Sequence, residues 1–168
     1  MYRFAPLAAL LTLPLNLLLT LLLTAWPGVA RPAPPAAAHR RPAPALLLRF
    51  ERTACYGPCP VDVLTIFADG RMRYQGQEHG PRTGTYAGRL RPAELLALRQ
   101  AFAAARFFAF APAYTSAALD LPTYYLRYAT AGRQHQVQDY DGAPPALKAL
   151  EARLIALIDA PNRWQKWR

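Results

Sequence analysis

The chain has 168 residues, enough for one domain with terminal extensions and too few for two ordinary domains. Lys and Arg number 20 against 10 Asp and Glu, so the formal net charge is +10, yet residues 46–160 hold 13 of the bases together with all 10 acids. Because a nucleic-acid-binding domain concentrates positive charge on its folded part, this distribution argues against nucleic acid as a partner.

Residues 1–30 have the composition of a secretory signal peptide. Arg3 is the only charged residue before Arg31, and the apolar, Leu-rich stretch between them ends in the small residues Gly28-Val29-Ala30. This pattern predicts export with cleavage after Ala30. The alternative is an uncleaved N-terminal anchor, since about 20 apolar residues cross a bilayer. Membrane contact is expected only through residues 1–30, if they are retained. We therefore expect a secreted or periplasmic protein or, if anchored, an inner-membrane protein whose domain lies outside the cytoplasm.

Residues 31–45 form a linker in front of the domain. They contain five Pro and six Ala and show no hydrophobic period. Such a composition is typical of an extended, semi-rigid spacer. Residues 46–160 are predicted to form the single folded domain, followed by a basic tail over 161–168.

The two cysteines, Cys55 and Cys59, flank Tyr56-Gly57-Pro58. Thiols oxidise outside the cytoplasm, and Gly and Pro favour a turn that brings the sulfurs together, so we predict an intramolecular disulfide. Two alternatives stay open: a redox-active dithiol, and a Cu(I) site. The second is considered because Cys-x-x-x-Cys-Pro resembles the copper motif of Sco-type assembly proteins and thiolates favour Cu(I).

The elements of the domain follow from hydrophobic periodicity and from turn residues. Strands are predicted over Leu46–Arg52, Val61–Ala68, Arg71–Gly76, Thr83–Leu90, 124–129 and Gln134–Tyr140, with helices opening at Pro92 and at Pro144 or Pro145. This order is typical of an α+β domain, an antiparallel sheet of about five to six strands with two helices on one face.

The loop between the second and third strands is predicted by side-chain parity. A two-residue loop would place Ile66 opposite a charged arginine. A three-residue loop, Ala68-Asp69-Gly70 with Gly70 in the left-handed conformation, pairs Ile66 with Met72 and Leu64 with Tyr74. Only the longer loop gives one coherent apolar face, so the sequence predicts it.

Two aromatic segments have roles that the pattern leaves open. The cluster at 106–110, rich in Phe, is expected to pack in the core, with a ligand pocket as the alternative. In the tail, Trp164 and Trp167 lie among basic residues. They either dock on the domain or touch a membrane interface.

A set of motif residues runs along the domain: Arg52-x-x-Cys55-Tyr56-Gly57-x-Cys59-Pro60, then Ile66, Asp69-Gly70, Tyr74 and Gly76, and later Asp120-Leu121-Pro122 and Asp139…Gly142-x-Pro144. Together they resemble a bacterial secreted family, the domain of unknown function 6438. Asp62 stands where such sequences often have an aromatic residue. The resemblance implies a secreted location and one compact domain, and it implies no activity.

The sequence contains no catalytic constellation. It lacks a phosphate-binding Gly-rich loop and a zinc helix motif, and its only serine, Ser116, has no Gly-x-Ser-x-Gly context. We expect a non-enzymatic domain without a cofactor that binds a protein, a peptide or an envelope component through its sheet. The alternative function is a periplasmic thiol-redox or Cu(I)-binding protein acting through the two cysteines.

Four residues are the candidates for ligand contact. Arg52 is expected to be either an internal ion-pair donor or the holder of an anionic group. Asp120 and Asp139, with Asp141, either gather as carboxylates for acid–base chemistry or Ca²⁺, or serve as turn and cap residues, which we favour. Tyr140, beside Asp139, completes the set.

Overall fold

A computed structural model describes residues 45–167, so the predicted signal peptide or anchor, residues 1–30, and nearly all of the linker lie outside the described residues. In chain order the elements are β1 (Leu46–Arg52), β2 (Val61–Phe67), β3 (Arg71–Glu78), β4 (Gly84–Arg89), α1 (Pro92–Ala104), a 3-10 helix (Phe107–Ala109), β5 (Ala113–Tyr114), β6 (Tyr124–Thr130), β7 (Arg133–Asp139), α2 (Pro145–Asp159), a second 3-10 helix (Pro161–Arg163) and β8 (Gln165–Lys166). Within these residues, neither helix is long and apolar enough to cross a membrane.

The strands form one eight-stranded sheet in the order β5-β7-β6-β1-β2-β3-β4-β8. All neighbours are antiparallel except β5 and β7, which run parallel. The predicted α+β class with two helices is confirmed, but the expectation of an antiparallel sheet of five to six strands is wrong. The two additional strands, β5 and β8, have two residues each. Segments this short show no period-two pattern, so the sequence did not reveal them.

The β2–β3 hairpin has the predicted three-residue loop. Ile66 pairs with Met72 and Leu64 with Tyr74, and Gly70 has a φ of 82°. A side chain at Gly70 would also lie 3.1 Å from the carbonyl oxygen of Leu90. The glycine therefore satisfies both the left-handed turn and the close approach of Leu90, the residue directly after β4.

One face of the sheet carries the core. Alternate strand residues such as Phe50, Leu64 and Leu126 are fully buried and belong to one cluster with the buried residues of both helices. In α2 the buried residues recur at helical spacing: Leu147, Leu150, Glu151, Leu154 and Ile158. Burial of this apolar stripe contributes about 1.5–3 kcal/mol per large side chain.

The C-terminal tail docks on the domain. Trp164 donates from its indole nitrogen to the carbonyl oxygens of Leu157 and Ile158, both at 3.1 Å. Its ring lies 5.6 Å from that of Tyr74. The following strand β8 pairs with β4 through Tyr86 and Ala87. Trp164 thus packs on its own domain, whereas Trp167 stays exposed.

Candidate functional site

The sequence-predicted residues gather at one end of the sheet, which we call the distal end. Three loops that meet there, the distal loops, are residues 53–60, 115–123 and 140–142, and the β3–β4 loop, residues 79–83, lies at the same end. These loops meet because β1 and β7 end there, at Arg52 and Asp139, while β2 and β6 begin there. The chain enters the sheet at the opposite end of β1, at Leu46.

The predicted disulfide is present and closes the first distal loop. Cys55 and Cys59 are bonded, with their Cα atoms 5.7 Å apart. Inside the ring, the Gly57 amide donates to the Cys55 sulfur at 3.2 Å, and the Cys59 amide donates to the Gly57 carbonyl at 2.8 Å. The ring therefore constrains the backbone that carries Tyr56.

The second distal loop is fastened to the first. Thr53 and Thr123 exchange three hydrogen bonds of 3.0–3.2 Å, and the Tyr56 amide donates to the Asp120 carbonyl at 3.4 Å. Tyr140, the residue directly after β7, donates from its hydroxyl to the Ala118 carbonyl at 2.8 Å. Tyr140 and Asp120 thus hold the loop through its backbone, and Asp120 does so with a left-handed φ of 63°.

These loops present an apolar surface, the distal tip, formed by Tyr56, Leu119, Asp120 and Leu121. Tyr56 is 90% exposed, Leu119 82% and Leu121 38%. The only charged residues of the three distal loops are Asp120 and Asp141. The tip is thus apolar and acidic on a chain whose overall charge is strongly positive.

Beneath the tip, Arg52 is occupied by an internal ion pair. Its Nε and Nη2 atoms lie 2.8 and 2.5 Å from the two carboxylate oxygens of Asp62, and both residues are buried. The Tyr74 hydroxyl donates to the same carboxylate at 3.0 Å. Burial, followed by the charge of Asp62, raises the pKa of Tyr74 well above its usual value, so the phenol remains protonated. Of the two roles expected for Arg52, the structure places it in the ion pair.

A second buried polar cluster contains Asp139. Lys148 on α2 places its Nζ 2.5 Å from Asp139 Oδ2 and 3.6 Å from Glu151 Oε2, and both carboxylates are at most 2% exposed. Burial, reinforced by a hydrogen bond to Asp139 and by its charge, raises the pKa of Glu151 to about 8. At neutral pH Glu151 is therefore mainly the protonated acid, and Lys148 lies within ion-pair distance of both carboxyl groups.

The candidate carboxylates do not assemble into one site. Asp139 is committed to Lys148, whereas Asp141 accepts a hydrogen bond of 2.6 Å from Ser116. Across residues 45–167, no group of three His, Cys, Asp or Glu side chains is arranged to hold a metal ion.

Sequence reasoning missed Asp62 and Glu151 as members of the polar clusters. For Glu151 a signal existed, because it lies four residues after Leu147 and three before Leu154, within the apolar stripe of α2. A carboxylate at such a position needs a buried partner. For Asp62, only the β1–β2 register brings it opposite Arg52.

A cavity of about 700 Å³ lies between β4, the start of α1 and the tail. Three of the arginines that line it form ion pairs with carboxylates of the same domain. Arg91 and Arg163 bind Glu94 at 3.1 and 2.8 Å, and Arg71 binds Asp69 at 2.7 Å. The hydrogen bonds from Arg163 and then Arg91 hold the pKa of Glu94 well below its usual value. This arrangement ties the C-terminal tail to α1.

Comparison with known proteins agrees with the resemblance carried by the cysteine motif. A family model described as "Domain of unknown function (DUF6438)" matches residues 46–158, from the first residue of β1 almost to the end of α2. No curated protein matches the chain. The matched segment contains the disulfide, both polar clusters and the distal tip, and the chain belongs to the DUF6438 family.

Proposed function

We propose that this protein is a non-enzymatic binding domain that works outside the cytoplasm and takes a protein segment on its distal tip. The partner segment carries apolar side chains flanked by Lys or Arg. The observation that carries this proposal is the exposure of Tyr56, Leu119 and Leu121 on two loops that are fastened to each other.

The tip combines apolar exposure with a fixed backbone. Contiguous exposed apolar surface on a folded domain is characteristic of interaction sites, and a tyrosine offers a large contact area at low conformational-entropy cost. Because the disulfide and the Thr53–Thr123 hydrogen bonds already order both loops, binding loses little further loop entropy. These features support a partner that docks on preformed loops.

Charge complementarity supports a basic partner segment. The three distal loops contain Asp120 and Asp141 and no Lys or Arg, and Arg82 of the β3–β4 loop donates to the carbonyl oxygens of Ile158 and Ala160. Asp120 is exposed between the two leucines of the tip. A Lys or Arg beside the apolar residues of the partner would therefore meet a carboxylate, whereas an acidic segment would be repelled.

The disulfide supports a location in an oxidising compartment, where such bonds persist. Residues 1–30 then act as the signal peptide or anchor that brings the domain there, secreted or periplasmic. β1 has seven residues between the chain entry at Leu46 and the distal loops, a span of about 20 Å at roughly 3.3 Å per residue. The distal tip therefore lies at the opposite end of the sheet from Leu46, where the linker attaches.

A thiol-redox or Cu(I)-binding function is the second candidate, and its support is the position of the disulfide on an outer loop whose Gly57 and Pro58 are exposed. This function requires the bond to open under mild reductant and the reduced protein to bind Cu(I). Both properties must be lost in Cys59→Ser. A bond that stays closed, in a protein indifferent to Cu(I), contradicts it.

Site-directed photo-crosslinking tests the binding function. The full-length chain is produced in its source organism with a benzophenone amino acid in place of Tyr56. The matched control carries it at Leu96, an exposed apolar residue of α1 away from the distal loops. We expect a discrete protein adduct from position 56 that position 96 does not give.

The captured segment is then made as a peptide, with its Lys and Arg kept or replaced by Glu. We expect the basic peptide to bind the full chain and to lose at least about tenfold in affinity (about 1.4 kcal/mol) against Tyr56→Ala, but not against Leu96→Ala. Identical adducts from both positions, or equal binding of the Glu-substituted peptide, would overturn the proposal.

A further inference from the structure

A second cavity lies at the end of the sheet opposite the distal tip. It is an open cleft of about 440 Å³, lined by the end of α1, the 3-10 helix Phe107–Ala109 and the residues that flank the β6–β7 turn. We call it the aromatic pocket. Its volume falls within the range of about 300–1,000 Å³ found for small-molecule sites.

Beneath the aromatic pocket, four aromatic side chains pack against one another. Tyr128 stacks on Phe102 with centroids 4.2 Å apart and meets Phe107 and Phe108 edge-on or tilted at 5.8 and 5.7 Å. Phe102, Phe107 and Tyr128 are buried in the core cluster. The apolar base of the pocket is therefore part of the packed core.

Two arginines complete the lining of this pocket. Arg133 lies over the Phe108 ring, with its guanidinium carbon 4.2 Å from the ring centroid. Arg106 and Arg133 are both exposed, and neither forms an ion pair with a carboxylate within residues 45–167. Two cationic side chains beside the cavity can therefore bind an anionic group.

The backbone at Arg106 is held in an unusual conformation. Its φ and ψ of 52° and 46° are left-handed, although the residue is not glycine. This conformation costs about 1–2 kcal/mol. It is fixed by hydrogen bonds from the Arg106 amide to Ala103 and from the Ala109 amide to Arg106, at 2.9 and 2.8 Å. The turn directs the chain from α1 into the 3-10 helix, so that both elements line the same cavity.

We propose that the aromatic pocket binds an amphipathic carboxylate, an aliphatic or aryl chain that ends in a single carboxylate group. The chain packs against Phe108, Ala103 and Ala109, the lining residues that reach the surface above the buried rings, and the carboxylate binds Arg106 and Arg133. The guanidinium fork matches a carboxylate in a bidentate geometry. The apolar walls require a ligand with an apolar body, which a small inorganic anion does not have.

Calorimetric titration with decanoate tests this assignment, with decanol and acetate as the ligands that lack one half of the chemistry. We expect the full-length wild-type chain to bind decanoate at least about tenfold more tightly than decanol, and acetate not to compete. Because this comparison uses only the wild type, it does not depend on any variant folding.

Variants then locate the site. Arg106→Gly, which suits the left-handed backbone, and Arg133→Gln are each expected to weaken decanoate binding at least about tenfold. Ala103→Phe, which fills the pocket from α1, is expected to abolish it. Arg127→Gln, which removes an arginine bound to Gln136 elsewhere on the sheet, is the matched control and should bind as the wild type does.

The assignment fails if decanoate does not bind, if decanol binds as tightly as decanoate, or if decanoate affinity survives Ala103→Phe or the loss of both pocket arginines. Tyr56→Ala should leave decanoate binding unchanged. If decanoate does not bind, the proposed function of the distal tip is unaffected. If the distal tip captures no partner, the assignment of the aromatic pocket is likewise unaffected.

Discussion

The buried acid Glu151 makes the stability of the domain depend on pH in a way that one substitution removes. Its carboxyl lies in the interior beside Asp139 and Lys148, and burial raises its pKa to about 8. In the unfolded chain the same group titrates near 4.5. Glu151→Gln keeps the shape and the hydrogen-bond donor of the protonated acid and abolishes its titration.

The sign and size of the effect follow from linkage. Between pH 4.5 and about 8 the folded state keeps the Glu151 proton while the unfolded state has lost it. The free energy of unfolding therefore falls as pH rises, by about 1.4 kcal/mol per pH unit. The contribution is fully present below pH 4.5 and is lost as pH rises through about 8, a total on the order of 5 kcal/mol. Since domains have about 5–15 kcal/mol of stability, the loss is measurable.

Urea unfolding of the oxidised chain at intervals from pH 5 to pH 9 measures this dependence. We expect the difference in unfolding free energy between Glu151→Gln and wild type to grow with pH in favour of the variant. Glu51→Gln, which removes the exposed partner of Arg49, serves as the control, and its free energy of unfolding should vary with pH as that of wild type does. Parallel curves for wild type and Glu151→Gln would refute a proton held on Glu151.

Three further outcomes are expected from the same unfolding measurements. Asp62→Asn leaves the buried Arg52 charge unpaired and should cost about 3–5 kcal/mol, whereas Arg52→Met combined with Asp62→Leu should cost clearly less; an equal loss would contradict the ion-pair argument. Gly76→Ala should cost more than about 3 kcal/mol, because its Cβ would meet the Arg82 carbonyl oxygen, while Gly57→Ala, with 3.8 Å of space, should be tolerated. Reduction of the disulfide should remove only about 2 kcal/mol, as expected for a five-residue ring, and leave the circular dichroism of the sheet intact; global unfolding on reduction would contradict this.

The sequence predicts this fold where local chemistry alone decides the geometry. Parity along two strands selected the three-residue loop at Gly70, because a one-residue slip would have moved arginine into the core. The start of α1 at Pro92 could also be predicted from local chemistry, because proline lacks the amide hydrogen that the first turn of a helix leaves unpaired. In each case the deciding residues are close in sequence.

The remaining features depend on contacts between distant segments. Arg52 and Asp62 meet only through the strand register, and Asp139 meets Lys148 only after α2 has packed on the sheet. Asp120 lies in a left-handed turn, as the favoured turn role suggests, but its contact with Tyr56 and that of Tyr140 with Ala118 join loops distant in sequence. The exposure of Leu119 could not be inferred from its neighbours.

Both borders of the sheet are formed by two-residue strands, β5 beside β7 and β8 beside β4. A short border offers few free amide and carbonyl groups to another molecule, which protects a folded sheet against edge-to-edge association. On the β4 side this cover comes from the last residues of the chain, held by Trp164. A proteolytic cut before Trp164 would uncover the edge of β4 at Tyr86 and Ala87, so clipped protein would be the form most prone to aggregate.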